Sequence, residues 1–458
     1  MSEVSGPSPA GAVPVEPRSW RAIAANFAWL CGERAFDVLI TLLVTVLVAR
    51  YLGPEGFGTL GYLIGLAALF VSVVPLGMDR ILLQEFVKSP QDTGRLLGTA
   101  TPLRLCIALA AGVGIGVAIS VSDLPLGNTT LFGFVFAAGI IIEALGTPQT
   151  LFNAHTKSRF PVFASTAVRA AMAIVRLGLV YFALSLPAFI LVAAVEPALF
   201  VLVLLILYRM HFGDFSSWRF DPRLARALLG RGLPLLFASL ATAILMRVGV
   251  VMVERLASDH EAGFFVAAVR IGDVCGLLAA NLIASTVPTL VSMKSQSAEQ
   301  YLDGLARLMQ GACVALTLLA AFLCLISDPL MGILLGPSFL GAAAVLRIYI
   351  WTTPLIALGL IELQWLIGEG YETFVLLRAV VGAMVNIVFN LVLTPRYGAD
   401  GAAAAALIAQ FASCILLNLA WDSRTRAMFV LQMRALTWLN LSLLWALRTD
   451  GAKAEDRV

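Results

Sequence analysis

The sequence predicts an all-α integral membrane protein, with about 12 transmembrane helices in two six-helix lobes related by a pseudo-two-fold axis along the membrane normal. Composition is the first reason. The 458 residues are 60% hydrophobic and 13% charged, whereas soluble domains average about 45–50% apolar and about 25% charged residues. Mean hydropathy is +0.92, so the bilayer is the main solvent of the chain. Second, apolar runs of the roughly 17–25 residues that cross a hydrocarbon core recur along the whole chain. Third, the layout of the first half reappears in the second after about 205 residues.

The elements follow in order. Residues 1–22 open with "MSEVSGPSPAGAVPVEPRSW", small, polar and proline-rich, without the basic start and apolar core of a signal peptide; they read as a flexible cytoplasmic tail. Helices 1 to 6 fall at 26–50, 59–77, 98–120, 131–153, 160–184 and 188–209, and helices 7 to 12 at 233–256, 262–290, 311–334, 341–367, 373–394 and 401–420. Proline inside several runs (Pro75, Pro102, Pro148, Pro197, Pro288, Pro354) predicts kinks that neighbouring helices tolerate. The N-lobe therefore occupies 23–210 and the C-lobe 233–422. A basic cytoplasmic elbow at 211–232 joins them, and its "RFDPRLARALLGRGLP" (219–234) suits an interfacial helix beside anionic lipid. In the tail, 423–458, the semi-apolar segment 427–448 is read as lying in the interface.

The internal repeat is visible where "VARYLGPEGFGTLGYL" follows helix 1 and "MVERLASDHEAGFFVA" follows helix 7. Both are an apolar helix, a charge, leucine, a short turn, then glycine and an aromatic. Because both copies start on the same side, the repeats are parallel. Orientation comes from Lys and Arg: fourteen precede helix 1 or follow even-numbered helices, against Arg50, Arg255 and Arg396 in the opposite loops. Both termini then face the cytoplasm.

Six acids (Glu33, Asp37, Glu143, Glu196, Asp273, Glu362) and six arginines (Arg34, Arg169, Arg176, Arg247, Arg270, Arg378) are counted inside the spans. A central charge costs about 2.5–3.5 kcal/mol on insertion scales, so twelve facing lipid would exceed the ~5–15 kcal/mol stability of an ordinary fold. As a set they predict a hydrated cavity. Helical geometry groups them: Glu33, Asp37 and Asn26 share one face of helix 1, Arg169 and Arg176 are seven apart on helix 5, and Arg270, Asp273 and Asn281 form a stripe on helix 8. All four lysines lie in loops or tails; the buried cations are guanidinium, which stays charged and offers a planar fork to carboxylate or phosphate. The bland reading is internal pairing, as Arg34 with Asp37 and Arg270 with Asp273 at i, i+3.

Other classes are disfavoured. The cysteines all fall in apolar runs without a CxxC pair, so neither a zinc site nor a disulfide framework is expected. Hydrolase, metalloprotease and P-loop signatures are missing, and no cofactor is expected. A net charge of +3 gives no footprint for nucleic acid.

At "ARYLGPEGFGTLGYLIGLAALF" (49–70) the chain resembles the Wzx-type polysaccharide flippases of the multidrug/oligosaccharidyl-lipid/polysaccharide exporter superfamily. "VERLASDHEAGFFVAAVRIGDV" (253–274), "LLGPSFLGAAAVLRI" (334–348) and "NIVFNLVLTPRYGADGAAAAALIAQ" (386–410) carry the same likeness in the expected order. The resemblance implies transport of an undecaprenyl-diphosphate-linked oligosaccharide from the cytoplasmic to the outer leaflet of the bacterial inner membrane, by two rocking lobes around a central cavity. It also implies membrane lipids as surroundings and a polysaccharide polymerase and export machinery as partners, and no enzymatic activity. Arg34, Arg247 and Arg270, with Arg169 and Arg176 farther out, are the expected headgroup ligands. Glu33, Asp37, Asp273 and Glu143 are expected to balance them or to couple transport to protons or sodium. Three charges in helix 1 depart from the family, where Ser, Gln and Asn are common. The alternatives are a drug or cation exporter of the related branch, which needs a net acidic pocket, and a membrane polymerase, which needs a large outer loop.

Overall fold

The computed structural model describes residues 20–436 apart from 123, 125–127, 156 and 158, with side chains described from residue 41 onward except at several positions between 282 and 299. Residues 1–19 of the expected 1–22 tail, the end of the 427–448 segment and the side chains of Glu33, Arg34 and Asp37 lie outside the described residues; residues 20–22, expected in the tail, already belong to the first helix, as does the backbone of those three charged residues.

Every described element is helical. The first half holds α1 (Trp20–Val71), α2 (Asp79–Lys88), α3 (Thr93–Ser120), α4 (Thr129–Glu143), α5 (Pro148–Ala154), α6 (Arg159–Tyr181) and α7 (Leu186–Phe212). The second holds α8 (Pro222–Leu256), α9 (Asp259–Gln296), α10 (Ala298–Leu325), α11 (Ser327–Leu334), α12 (Ala342–Tyr349), α13 (Thr352–Gly368), α14 (Glu372–Cys414) and α15 (Ser423–Leu436). Among the described residues ten segments are long and apolar enough to cross a membrane. Two of them are double. α1 breaks at Gly53 (φ 68°) and α14 at Gly398 (φ 55°), backbone conformations that disfavour any residue with a Cβ. Splitting both gives the expected twelve crossings.

Proline sorts into two roles. Pro102 and Pro197 remain inside α3 and α7. Pro75 lies in the turns after α1, Pro148 begins α5 behind a 3₁₀ break, and Pro354 stands in the first turn of α13 beyond the break that separates it from α12. Side-chain caps start others: Asn128 accepts from Leu131 N at the head of α4, and Ser258 from Glu261 N at the head of α9. Glu261 then reaches across, its Oε2 accepting from Ala399 N at 2.8 Å, which fixes the restart of α14 beyond Gly398.

The two halves meet where residues 54–71 of α1 cross the start of α9. A Cβ at Gly58 would lie 2.0 Å from Asp259 O, and one at Gly263 would lie 2.0 Å from Pro54 O. These reciprocal contacts are related by the same offset of about 205 residues, which places the pseudo-two-fold axis through the crossing. Gly61 against Val266 lies on that axis. Phe57 packs edge-on against Phe339, with ring centroids 6.1 Å apart, so this end of the bundle is sealed by apolar core from both halves.

The elbow departs from expectation. Rather than a separate interfacial helix, residues 222–232 are the first three turns of α8, a 35-residue helix whose length of ~52 Å exceeds the ~30 Å hydrocarbon core. Its start is capped by Asp221, whose Oδ1 accepts from Arg223 N and Leu224 N, and it is tied to the first half where Arg95 Nε donates to Asp221 Oδ2 at 2.7 Å and Arg231 pairs with Glu85 at 3.0 Å. Likewise α15 packs on α10 with Thr425, Met428, Gln432 and Ala435 buried, so the described part of the 427–448 segment is docked on the bundle.

Candidate substrate cavity

Below the sealed crossing lies a cavity of about 510 Å³, lined by α1, α6, α7 and α9. Val48, Phe57, Leu60, Gly61 and Val266 line its sealed end, while Thr41, Thr45, Ser165, Thr166, Arg169, Arg176, Glu196 and Arg270 give it a polar lining. Arg169 and Arg176, two turns apart on α6, reach this one space, as their seven-residue spacing predicts. Arg270 enters from α9 in the other half.

Their partners differ. Arg176 is ion-paired with Glu196 of α7. Arg169 donates to the carbonyl and hydroxyl oxygens of Ser165 at 3.3 and 3.2 Å. Arg270 has no hydrogen bond or ion pair with any described residue, although Asp273, Arg247 and Arg176 all lie within electrostatic reach of it. Among the described lining residues three arginines therefore face one acid.

Three expected members are placed elsewhere. Asp273 is paired not with Arg270, as the i, i+3 spacing suggests, but with Arg247 of α8 at 3.2 Å, because α8 and α9 pack side by side. Neither lines the cavity. Glu143 is on the far side of α7, in a separate cavity of about 360 Å³. The side chains of Glu33, Arg34 and Asp37 are outside the described residues.

The sequence count also missed one charge inside a span. Arg104 lies inside the third apolar run and is 5% exposed; it is neutralised by Asp79 of α2 at 2.6 Å, a residue that reads as a loop acid. Glu362 is fully buried and lies 3.0 Å from Arg378. Gln432 donates to the same Glu362 oxygen, and Arg378 donates to Cys414 Sγ, so this pair staples α13, α14 and α15 together. Arg50 and Arg255, read as loop cations and repeat-related, both act across the halves: Arg50 donates to the carbonyls of Ile333 and Leu334 at the end of α11, and Arg255 to Tyr62 Oη at 2.9 Å.

Comparison with known proteins agrees with this architecture. The profile of a family described as polysaccharide biosynthesis protein matches residues 23–294. A solved structure described as the lipid II flippase MurJ in an inward closed conformation superposes with a TM-score of 0.68 at 15% identity, covering 90% of this chain and 91% of that one. An inward-facing multidrug resistance MATE family transporter of the MOP superfamily gives 0.65 at 15% identity, over 86% and 95% of the two chains. A MOP superfamily transporter from Pyrococcus furiosus, described as having a binding pocket of reverse polarity, gives 0.55 at 16% identity, over 86% and 93%. No curated protein sequence matches the chain.

Proposed function

Because the chain belongs to the polysaccharide biosynthesis protein family and has the fold of MOP superfamily transporters, we propose that it is a flippase for an undecaprenyl-diphosphate-linked oligosaccharide. It carries this lipid from the cytoplasmic to the outer leaflet of a bacterial inner membrane and supplies a polysaccharide polymerase and export machinery. The carrying observation is the arginine set of the cavity, above all Arg270, which has no partner among the described residues. A half-buried cation with no carboxylate partner among the described residues is completed by an anion, and a guanidinium fork matches a diphosphate.

The elbow end, with its excess of Lys and Arg, is the cytoplasmic side in this reading, and the Gly58–Gly263 crossing closes the outer side. The headgroup enters from the cytoplasm between lobes 23–210 and 233–422 while the polyprenyl chain stays in lipid. Arg270 belongs to one lobe and Arg169 and Arg176 to the other, so a bound diphosphate bridges the two bodies that must rock. An inside-negative potential favours moving the anion outward by about 2.3 kcal/mol per charge per 100 mV. The same lining, in which arginines outnumber acids among the described residues, argues against an organic-cation cargo.

The test replaces Arg270 by Ala or Lys in a strain whose own copy is deleted, with surface polysaccharide as readout at matched expression. Arg270→Ala reduces it at least tenfold, the loss expected for one charge-assisted contact of ~1.5–3 kcal/mol, and Arg270→Lys restores only part of it. Full polysaccharide in both variants refutes the headgroup role.

A further inference from the structure

The second cavity, about 360 Å³, shares a wall with the first: Pro197 and Phe200 of α7 line both. Its rim is exposed and polar, with Asp79 and Arg80 of α2 and Gln149 and Asn153 of α5. Its depth is not neutral. Arg104, 5% exposed, gives Nη2 to Asp79 Oδ1 at 2.6 Å, and Thr150 Oγ1 donates to the same oxygen at 3.2 Å. The buried Arg104 Nε is left without an acceptor. Glu143, at the end of the apolar stretch "FAAGIII", has no hydrogen-bond or ion-pair partner among the described residues. A carboxylate placed so in a membrane span is expensive unless a ligand or water completes it.

The lining selects among occupants. Among the described residues no group of three or more His, Cys, Asp or Glu side chains exists to hold a metal ion. A lone proton gives the amides of Gln149 and Asn153 nothing to do. Mixed donors and acceptors around a ring of Pro75, Pro197 and Phe200, with Gly146 leaving one wall bare, match a molecule with hydroxyls on its edge and C–H groups on its face. The volume lies in the ~300–1,000 Å³ range of small-molecule sites. We propose that this cavity is a carbohydrate subsite, taking one uncharged pyranose of the lipid-linked cargo. Glu143 accepts from its hydroxyls, Arg104, Gln149 and Asn153 donate to them, and Phe200 packs on the C–H face. The inference rests on the flippase reading and adds to it where the glycan sits.

The experiment measures affinities of the purified full chain for undecaprenyl diphosphate, bare or carrying glucose, galactose or N-acetylglucosamine, by native mass spectrometry. Wild type binds at least one glycosylated probe about tenfold more tightly than the bare lipid, the gain expected from a few uncharged and one charge-assisted hydrogen bond. In Glu143→Gln, and in Gly146→Leu, where a Cβ meets only Val201 at 3.7 Å and the longer side chain fills the space, that ratio falls to about one. Gln149→Ala, on the exposed rim, lowers it about threefold and keeps the test open should the deeper substitutions unfold the helix. Equal wild-type affinity for bare and all glycosylated probes, or a ratio untouched by the variants, overturns the subsite and leaves the flippase reading standing. Failure of every probe to bind wild type overturns both.

Discussion

The sealed crossing can be opened by a single methyl group. Gly58→Ala puts a Cβ 2.0 Å from Asp259 O and 2.7 Å from Gly263 N, both backbone atoms that cannot rotate away. Restoring a contact of ~3.5 Å separates the two helices by roughly 1.5 Å. That displacement stretches the 2.9 Å bond from Arg255 to Tyr62 Oη beyond hydrogen-bonding range. Overpacking of this kind costs about 1–3 kcal/mol, and only the closed arrangement bears it. The equilibrium between closed and open arrangements therefore moves by about 5- to 150-fold. Nitroxides at Leu184 and Leu340, both exposed at this end of the two halves, report the separation by electron–electron double resonance in proteoliposomes. The variant distribution shifts to longer distance, and that of Gly276→Ala, where nothing lies within 4 Å of the new Cβ, does not. Gly263→Ala has the same effect, and the double variant costs less than the sum, because one methyl already separates the helices. The reasoning fails if Gly58→Ala matches wild type in both distance distribution and thermal stability.

Arg378→Leu strands the fully buried Glu362 and lowers stability by about 3–5 kcal/mol, whereas Glu362→Gln combined with Arg378→Met recovers most of it; thermal unfolding in detergent separates these outcomes. Asp221 gives a pH test: the Leu224 amide foremost, then Arg95 and the Arg223 amide, hold its carboxyl below the usual carboxylate range. Its contribution is complete above the unfolded value of about 4 and disappears as pH falls through the lowered folded value. The melting difference between wild type and Asp221→Ala is therefore full near neutral pH and closes on acidification.

The spans were legible because hydropathy registers the solvent of each residue, and the repeat because its glycine turn must be kept wherever two backbones touch. Partners were less legible. The spacing of Arg270 and Asp273 suggests a pair within one helix, but Asp273 meets Arg247 of the adjacent α8, a neighbour that only the packing of α8 on α9 supplies. Arg104 escaped notice because its counter-ion, Asp79, sits 25 positions earlier in a stretch that reads as loop. Glu143 belongs to the set of buried charges by sequence and to a different cavity in space, since α7 stands between them. The elbow looked interfacial because four arginines dominate its composition, yet nothing before Pro234 interrupts its helix, and Arg95 and Glu85 hold it to the first half.

What distinguishes Arg270 is what the other arginines have. Arg104, Arg176, Arg247 and Arg378 each face a carboxylate, supplied by Asp79, Glu196, Asp273 and Glu362, and those pairs hold helices within one half or the other. Such pairs contribute little to a motion between the halves, since both partners move together. Arg270 stands on the second half and lines a space whose other guanidinium groups belong to the first half. An anion bound there gains contacts with both bodies at once, and it draws them together on the side opposite the Gly58–Gly263 contact. Occupancy of the cavity is thereby coupled to the strength of the sealed crossing, because a rigid lobe cannot close at one end without straining the contact at the other. On the proposed flippase reading, headgroup affinity and the closed-to-open ratio are reciprocally linked: loosening the crossing with Gly58→Ala is expected to change how tightly the cavity holds a diphosphate, and removing Arg270 to abolish the effect of a diphosphate on the crossing.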